Sequence, residues 1–444
     1  MPDTKPADSP APAAAVPLPD RSVVPPVWAR YTEIVVDHGA GSWLYTVDGD
    51  AYLDYSSGIG VVNTGHAHPR VAAAIAAQAT RLIHGQQNIV FHEAGLRLYE
   101  RLRHLLPGEG WGAFLSNSGA EAVEASVKLA RIATGRPVIL VFRGGFHGRT
   151  AQTMALTYSK NVYRGHFEPL PGSVYATAYP YCYRAPGGAH PIEACACDWG
   201  EQLELTFAQV VYPEHVAAIL VEPVLGEGGY IVPPPVFLPR LREIADRHGI
   251  LLVADEVQTG FGRTGRFFAV EHWGVIPHIL VMAKGIASGL PLSGILAQRS
   301  LIEKWPPGTH GGTYAGNVVA CAAANATLDV IADEGLVANA AARGAQLLEG
   351  LRALQATHPT VGDVRGLGCM AALEFVRPDA KDPRTPNPDV AKKVIAAALE
   401  RRLILLSAGT WGQVVRIIPP LVTTAEEVDR ALGILTEALD AAGA

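Results

Sequence analysis

Five short and almost uninterrupted apolar runs, at 112–115, 138–142, 216–221, 250–254 and 279–282, are separated by stretches with helical periodicity. Runs apolar at every position do not suit strands with one wet face; they suit parallel strands covered on both sides. The helix expected at 118–134 sets Val123, Val127 and Ala130 on one face and is stopped by Gly135 and Pro137. A second, at 237–248, aligns Phe237, Leu241 and Ile244 and closes at Gly249. This alternation predicts an α/β domain with a mostly parallel sheet over about residues 70–325.

The flanks read differently. Residues 1–25 are a Pro/Ala-rich leader, expected to be extended and flexible. Between Tyr31 and Tyr55, turn signals (His38-Gly39-Ala40-Gly41, Asp48-Gly49-Asp50) separate short apolar runs, which predicts small strands and hairpins over the segment 26–69. Helices are expected at 69–83 and 93–106. Beyond residue 325, Ala/Leu-rich helices (326–357, 389–401, 424–441) enclose short strands at 369–376, 403–406 and 414–418, the texture of a smaller α+β domain over 326–444.

Composition removes several function classes. With 444 residues, 49% of them hydrophobic, the chain is expected to fold rather than stay disordered. A net charge of −6 gives no broad electrostatic reason to bind nucleic acid or an anionic membrane. No apolar run is long enough to span a bilayer, and the start of the chain lacks a basic signal-peptide region, so a cytoplasmic protein is expected. The cysteines number five and are expected to be mostly reduced. Cys182, Cys195 and Cys197, with His190 and Asp198, could in principle hold zinc, but their spacing matches no paired Cys-x-x-Cys module, so the default reading is a Pro/Gly-rich surface excursion with no metal. His66 and His68 bracket a turn before Pro69 and read as polar turn residues.

Four local patterns bear on chemistry. Gly260 to Gly265 has the spacing of a dinucleotide loop, but no acid lies between Glu271 and Glu303 to take a ribose, so the glycines are expected to shape a loop. Asp255 ends a buried strand, where open α/β sheets place ligands; it would equally serve as a cap. Ser118 and Glu121 fit a capping box, and the same helix N-terminus suits a phosphate. Lys284 ends an apolar strand; an ammonium there loses hydration, which lowers its pKa and makes it a candidate nucleophile toward a carbonyl.

Seven segments, SGIGVVNTGHAHPRV (57–71), LSNSGAEAVEASVKLAR (115–131), FRGGFHGRT (142–150), ILVEPVLGEGG (219–229), LLVADEVQTGFGRTG (251–265), MAKGIASGLPLSG (282–294) and HGGTYAGN (310–317), resemble the subgroup-III, fold-type-I aminotransferases. The resemblance runs collinearly over about residues 30–440, and VGDVRGLG (361–368) and LILLSAGTWGQVVRIIPPL (403–421) are most similar to 4-aminobutyrate aminotransferases. It implies a seven-stranded sheet in the large domain, a small domain built from both ends of the chain, and pyridoxal 5′-phosphate (PLP) as cofactor. The resemblance assigns Lys284 to covalent attachment of that cofactor and Asp255 to its pyridine nitrogen. Keeping that nitrogen protonated makes the ring an electron sink. It places Val257 and Phe146 on the two ring faces, His147 beside the cofactor, Gln258 on its phenolic oxygen, and Ser118, Gly119 and Ala120 around its phosphate. Thr313 would contact the phosphate of a second subunit, which implies a homodimer, or a dimer of dimers.

For substrates, Arg149 matches a distal-carboxylate ligand and Arg416 an α-carboxylate ligand. Glu227 matches an acid that pairs with Arg416 when no α-carboxylate is present, and Glu222 and Ile59 match pocket walls. The expected reaction moves an amino group from an ω-amino acid, 4-aminobutyrate above all, to 2-oxoglutarate. Relatives with the same site resemble amino-acid racemases or epimerases and broad amine or ornithine-type transaminases, the alternatives to be tested.

Overall fold

Three short strands, β1 (Val36–Ala40), β2 (Trp43–Thr46) and β3 (Ala51–Asp54), form an antiparallel meander near the start of the chain. Gly49, with φ +86°, closes the β2–β3 turn, a conformation that a Cβ would strain. The large sheet follows: β4 (Trp111–Ser116), β5 (Val138–Phe142), β6 (Val174–Thr177), β7 (Val216–Val221), β8 (Leu251–Asp255), β9 (Ile279–Met282) and β10 (Ser293–Gln298). Its order is β4-β10-β9-β8-β7-β5-β6, with β10 antiparallel to both its neighbours and the pairs from β9 to β6 parallel. The last strands are β11 (Val361–Leu367), β12 (Met370–Phe375), β13 (Leu403–Ile404), β14 (Leu406–Ala408) and β15 (Val414–Ile417). All but β13 form an antiparallel sheet ordered β11-β12-β15-β14. β13 instead runs parallel to β3 and completes the N-terminal sheet, so both ends of the chain build this part of the molecule.

The computed structural model describes residues 20–185, 195 and 197–444. Most of the leader, and His190, lie outside the described residues. The described residues before Val36 form a unit separate from Val36–Ala444; it holds two 3-10 turns, Arg21–Val23 and Pro26–Trp28, and Arg21 pairs with Glu33 at 3.2 Å.

The apolar runs are buried for the reason their sequence suggests. Ile139, Val141, Leu220, Val253 and Val281 pack on one side of the large sheet. Their alternating neighbours Leu140, Phe142, Ile219, Leu252 and Leu280 pack on the other. Helix Gly119–Thr134 covers the first side, opened by the expected capping box of Ser118 and Glu121 and closed by Gly135 at φ +69°. Helix Phe237–His248 closes at Gly249, φ +62°. Two strands of this sheet carry no clear sequence signal: β6 lies at the edge, partly exposed, and β10 follows a Gly/Pro-rich turn. β11 and β14 were likewise not anticipated.

The helix expected at 326–357 is two helices, Val318–Asp333 and Leu336–Thr357, interrupted at Gly335 with φ +61°. An Ala/Leu pattern continues across such a break because each half keeps its own apolar face. The first of the two runs through residue 325, where the sequence texture changes. No helix among the described residues is long and apolar enough to cross a membrane.

The glycine pattern at 260–265 opens no helix: Gly262 (φ +90°) and Gly265 (φ +80°) turn a loop around Arg263. That fully buried guanidinium donates to Asn63 Oδ1 (2.7 Å) and to the carbonyls of Cys369 and Pro419, joining three distant stretches of chain. Desolvation lowers its pKa, yet a guanidinium stays charged at any physiological pH. His66 bonds Asp54 at 2.8 Å, and His68 bonds the sequence-distant Glu334 at 3.1 Å, each a turn residue with a carboxylate partner.

The cysteines depart from expectation. Cys321 and Cys369 are buried thiols, but Cys182, Cys195 and Cys197 converge, with Cys195 Sγ in sulfur–sulfur contact with each of the other two. A Cys-x-Cys pair and a third cysteine before a glycine-rich stretch give no spacing rule that predicts this; the fold brings them together.

Candidate active site

The C-terminal ends of parallel strands supply most of the site. Asp255 is the last residue of β8 and pairs in register with Val281 of β9. Just beyond β9, Lys284 begins a 3-10 turn with φ +45°, a left-handed conformation that costs a non-glycine residue about 1 kcal/mol or more. The two side chains interact electrostatically across the end of the sheet. Burial lowers the Lys284 pKa to about 8, helped by the Arg416 guanidinium and opposed by Asp255, Glu222 and Glu227. An amine poised there is substantially neutral just above physiological pH, as a nucleophile or proton carrier requires.

The Asp255 carboxylate is held from two sides. His147 Nδ1 donates to Oδ2 at 2.7 Å, and the Val257 amide donates to Oδ1 at 3.1 Å. Asp255 therefore serves as both turn cap and hydrogen-bond partner of His147. His147 arrives on the loop after β5, where its own amide donates to Thr157 Oγ1 (3.0 Å). Gly148, at φ +132°, leaves no room for a Cβ, which would lie 2.8 Å from Ala120 Cβ.

Glu222 follows β7 and is buried; its two oxygens accept from the Phe146 amide (2.7 Å) and the Gly226 amide (2.8 Å). Burial raises its pKa to about 7; Asp255 adds to the rise and His147 counters it.

Glu227 is the centre of a cation cluster. Its Oε1 accepts from Lys160 Nζ (2.8 Å) and the Tyr163 hydroxyl (2.8 Å), and its Oε2 lies 3.0 Å from Arg416 Nη1. Burial alone would raise its pKa, but Arg416 and Lys160 outweigh burial and hold it below the usual value. Arg416 sits on β15 and is 3% exposed. Arg149 is exposed at the mouth, its guanidinium 4.9 Å from the Tyr163 ring centre and 5.8 Å from that of Phe146. Phe146 and Tyr163 meet edge to face at 5.2 Å.

On the opposite side lies the N-terminus of helix Gly119–Thr134. The first amides, at Gly119 and Ala120, have no intrahelical acceptor by geometry and carry the positive end of the helix dipole. The Ser118 and Asn117 amides instead donate to Glu121 (2.9 and 2.8 Å). A Cβ at Gly119 would lie 3.0 Å from Val257 Cγ1, so helix start and β8 turn are in close contact. Gln258 is buried with its Oε1 lacking a protein partner, and Gly60, next to Ile59, packs near its Cγ. Ile59 has φ +68° and is 45% exposed.

The class-III aminotransferase family model matches residues 25–439. The chain belongs to the class-III aminotransferases. It is 42% identical to the 5-aminovalerate aminotransferase of Pseudomonas putida over 91% of this chain and 93% of that protein. To the 4-aminobutyrate aminotransferase of Escherichia coli it is 40% identical, over 92% and 94%. Among solved structures, a PLP-bound amine transaminase from an uncultivated Pseudomonas species superposes with a TM-score of 0.86 at 36% identity, covering 97% of this chain and 98% of that one. The fold is that of the fold-type-I PLP transaminases.

PLP is the cofactor of this aminotransferase, and the residues present fit it. A buried amide oxygen without a protein partner (Gln258), a glycine-opened helix N-terminus against Val257, and an Asp255 carboxyl group braced by His147 fit an amide contact, a phosphate end and a ring nitrogen. His147 and the Val257 amide both bond Asp255, Gly119 lies against Val257, and Lys284 interacts electrostatically with Asp255. Ser118 uses its hydroxyl to cap Glu121 (3.2 Å). Thr313 is exposed. Lys160 and Tyr163 escaped sequence reading: neither sits in a recognisable motif, and only the fold brings them to Glu227.

Proposed function

We propose that this aminotransferase moves the amino group of an ω-amino acid, 4-aminobutyrate as first choice, to 2-oxoglutarate, yielding succinate semialdehyde and then glutamate. The buried Glu227–Arg416 ion pair carries this reading. An amine donor without an α-carboxylate leaves Arg416 needing an internal counter-charge, which Glu227 supplies; an acceptor with an α-carboxylate can take Arg416 from it. Arg149, above two aromatic rings at the mouth, is the ligand for the distal carboxylate common to both substrates. The 5-aminovalerate and 4-aminobutyrate enzymes among the relatives fit the same chemistry.

PLP when bound supplies the electron sink that makes the amine-bearing carbon acidic. Lys284 holds it and, once released, its neutral Nζ takes a proton from that carbon and delivers it again, as base and then acid. Asp255, oriented by His147, would pair with the protonated ring nitrogen. Val257 and Phe146 would flank the ring, Gln258 would bond its phenolic oxygen, and Ser118, Gly119 and Ala120 would enclose the phosphate. Glu222 and Ile59 wall the substrate side.

The enzyme is further proposed to act as a homodimer, with Thr313 reaching the other subunit's phosphate. Exposed apolar residues near it support this: Phe91 is 87% exposed, Ile89 80% and Tyr314 66%. A donor screen with 2-oxoglutarate, reading glutamate, tests the function. ω-Amino acids should give glutamate at least about tenfold faster than simple amines; glutamate from none of them would refute the reading.

A further inference from the structure

Away from the cofactor residues, three sulfurs come together from two short stretches of chain. Cys182 opens the 3-10 turn Cys182–Arg184 and is buried; Cys195 and Cys197 precede helix Trp199–Gln209. The three Sγ atoms all lie within 4.8 Å of one another, and Cys197 Sγ is 3.6 Å from Cys182 Sγ. Cys195 Sγ approaches both of the others. A sulfur forms only one sulfur–sulfur bond, so no single disulfide satisfies this arrangement, whereas one metal ion bonds all three sulfurs at once.

We propose that Cys182, Cys195 and Cys197 bind one thiophilic cation, zinc(II), through three thiolates, with water in the fourth position. Each thiol releases its proton to solvent as the ion binds, and nothing is oxidised or reduced. Thiolate ligands select soft or borderline ions over magnesium or calcium, and zinc accepts tetrahedral three-sulfur sites.

The surroundings suit a structural ion. The segment from Tyr181 to Ala185 has no strand to hold it and is tied down piecemeal. Arg384 donates to the carbonyls of Tyr183 and Ala185, both at 3.3 Å. Tyr181 and Arg184 bond the buried Glu374, which also lies 2.7 Å from Arg365. Arg365 in turn donates to the Gly229 carbonyl, two residues beyond Glu227 (2.6 Å). The ion would fasten the stretch that anchors this network, and so brace the loop carrying Glu227.

The test uses the full, untagged chain, purified under reducing conditions without chelator, and elemental analysis. About one zinc per chain is expected. Cobalt(II) added to the chelator-stripped chain should give a thiolate-to-metal charge-transfer band. Cys195→Ser and Cys197→Ser should lose both signals while keeping their circular dichroism, and Cys321→Ala should keep both. Should the serine variants fail to fold, alkylation of the parent chain decides: three thiols should be shielded until a chelator is added. Reduced, folded chain without zinc or a cobalt band would overturn the proposal. So would a disulfide among these three in chains alkylated before lysis. The result is independent of transaminase activity, so either reading can fail alone.

Discussion

Glu227 Oε2 and Arg416 Nη1 lie 3.0 Å apart inside the pocket, while the other Glu227 oxygen is held by Lys160 and Tyr163. The acid is thus bound to one fixed side and one guanidinium that a substrate can claim. Glu227→Gln should weaken the half-reaction with 4-aminobutyrate by roughly 10- to 100-fold and leave that with glutamate nearly unchanged, since an uncompensated Arg416 then favours α-carboxylates. Single-turnover rates with each donor check this; equal losses would contradict the shared-partner role.

Arg149→Ala should cost about 2–4 kcal/mol in kcat/KM for ω-amino acids, the scale of a lost charge-assisted pair, and much less for simple amines. Comparing 5-aminovalerate with pentylamine gives the measurement.

Lys284→Ala should abolish turnover and covalent cofactor absorbance while preserving the fold. In the apo chain, the Lys284 pKa of about 8 lies below its ordinary 10.5. Between those values the unfolded chain holds more protons, so this residue makes stability rise with pH from about 8 to 10.5. The rate at which apo chain acquires cofactor should also rise with pH, with a midpoint near 8, because the neutral amine is the nucleophile. Stopped-flow absorbance across this range gives the midpoint; a flat profile would exclude Lys284 as the group that titrates.

Glu222 behaves oppositely. Its carboxyl, pushed up to about 7 from 4.5, retains a proton in the fold through that window, so its contribution falls as pH rises across it. Glu222→Gln should flatten that slope in a plot of Tm against pH. It should also cost about 1–3 kcal/mol, because one of the Phe146 and Gly226 amides would then face an NH2 group.

Asp255→Asn should lower kcat by roughly 100- to 1,000-fold with little change in the fold, since the amide keeps the shape but not the charge. If this chain were instead an isomerase, a chiral α-amino acid incubated without any oxo acid would lose optical purity; a transaminase leaves it intact.

Where physical pattern was strong, sequence reading and structure coincide. The buried strands β5, β7, β8 and β9, the capping box at Ser118 and Glu121, and the chain-reversing Gly135 and Gly249 each follow from local chemistry. The strands without a clear sequence signal, β6, β10, β11 and β14, each exist because a neighbour pairs with them. The same holds in the site. Lys284 and Asp255 announce themselves as charges ending apolar runs, whereas Lys160, Tyr163 and the buried Arg263 look like ordinary loop residues until distant chain folds over them. The cysteine trio carries no spacing rule for the same reason: its geometry depends on a contact between residues thirteen positions apart.

The pairing of β13 with β3 has a consequence for biosynthesis. All seven strands of the large sheet are complete by Gln298, so their hydrogen-bond ladders can form while the ribosome is still working. The N-terminal meander cannot find its missing edge until Leu403 and Ile404 emerge, and Arg416 comes later still. A nascent chain would therefore possess the amine and its acid well before it could tell one substrate from another. Premature truncation should leave an indiscriminate or aggregation-prone fragment, not a smaller enzyme.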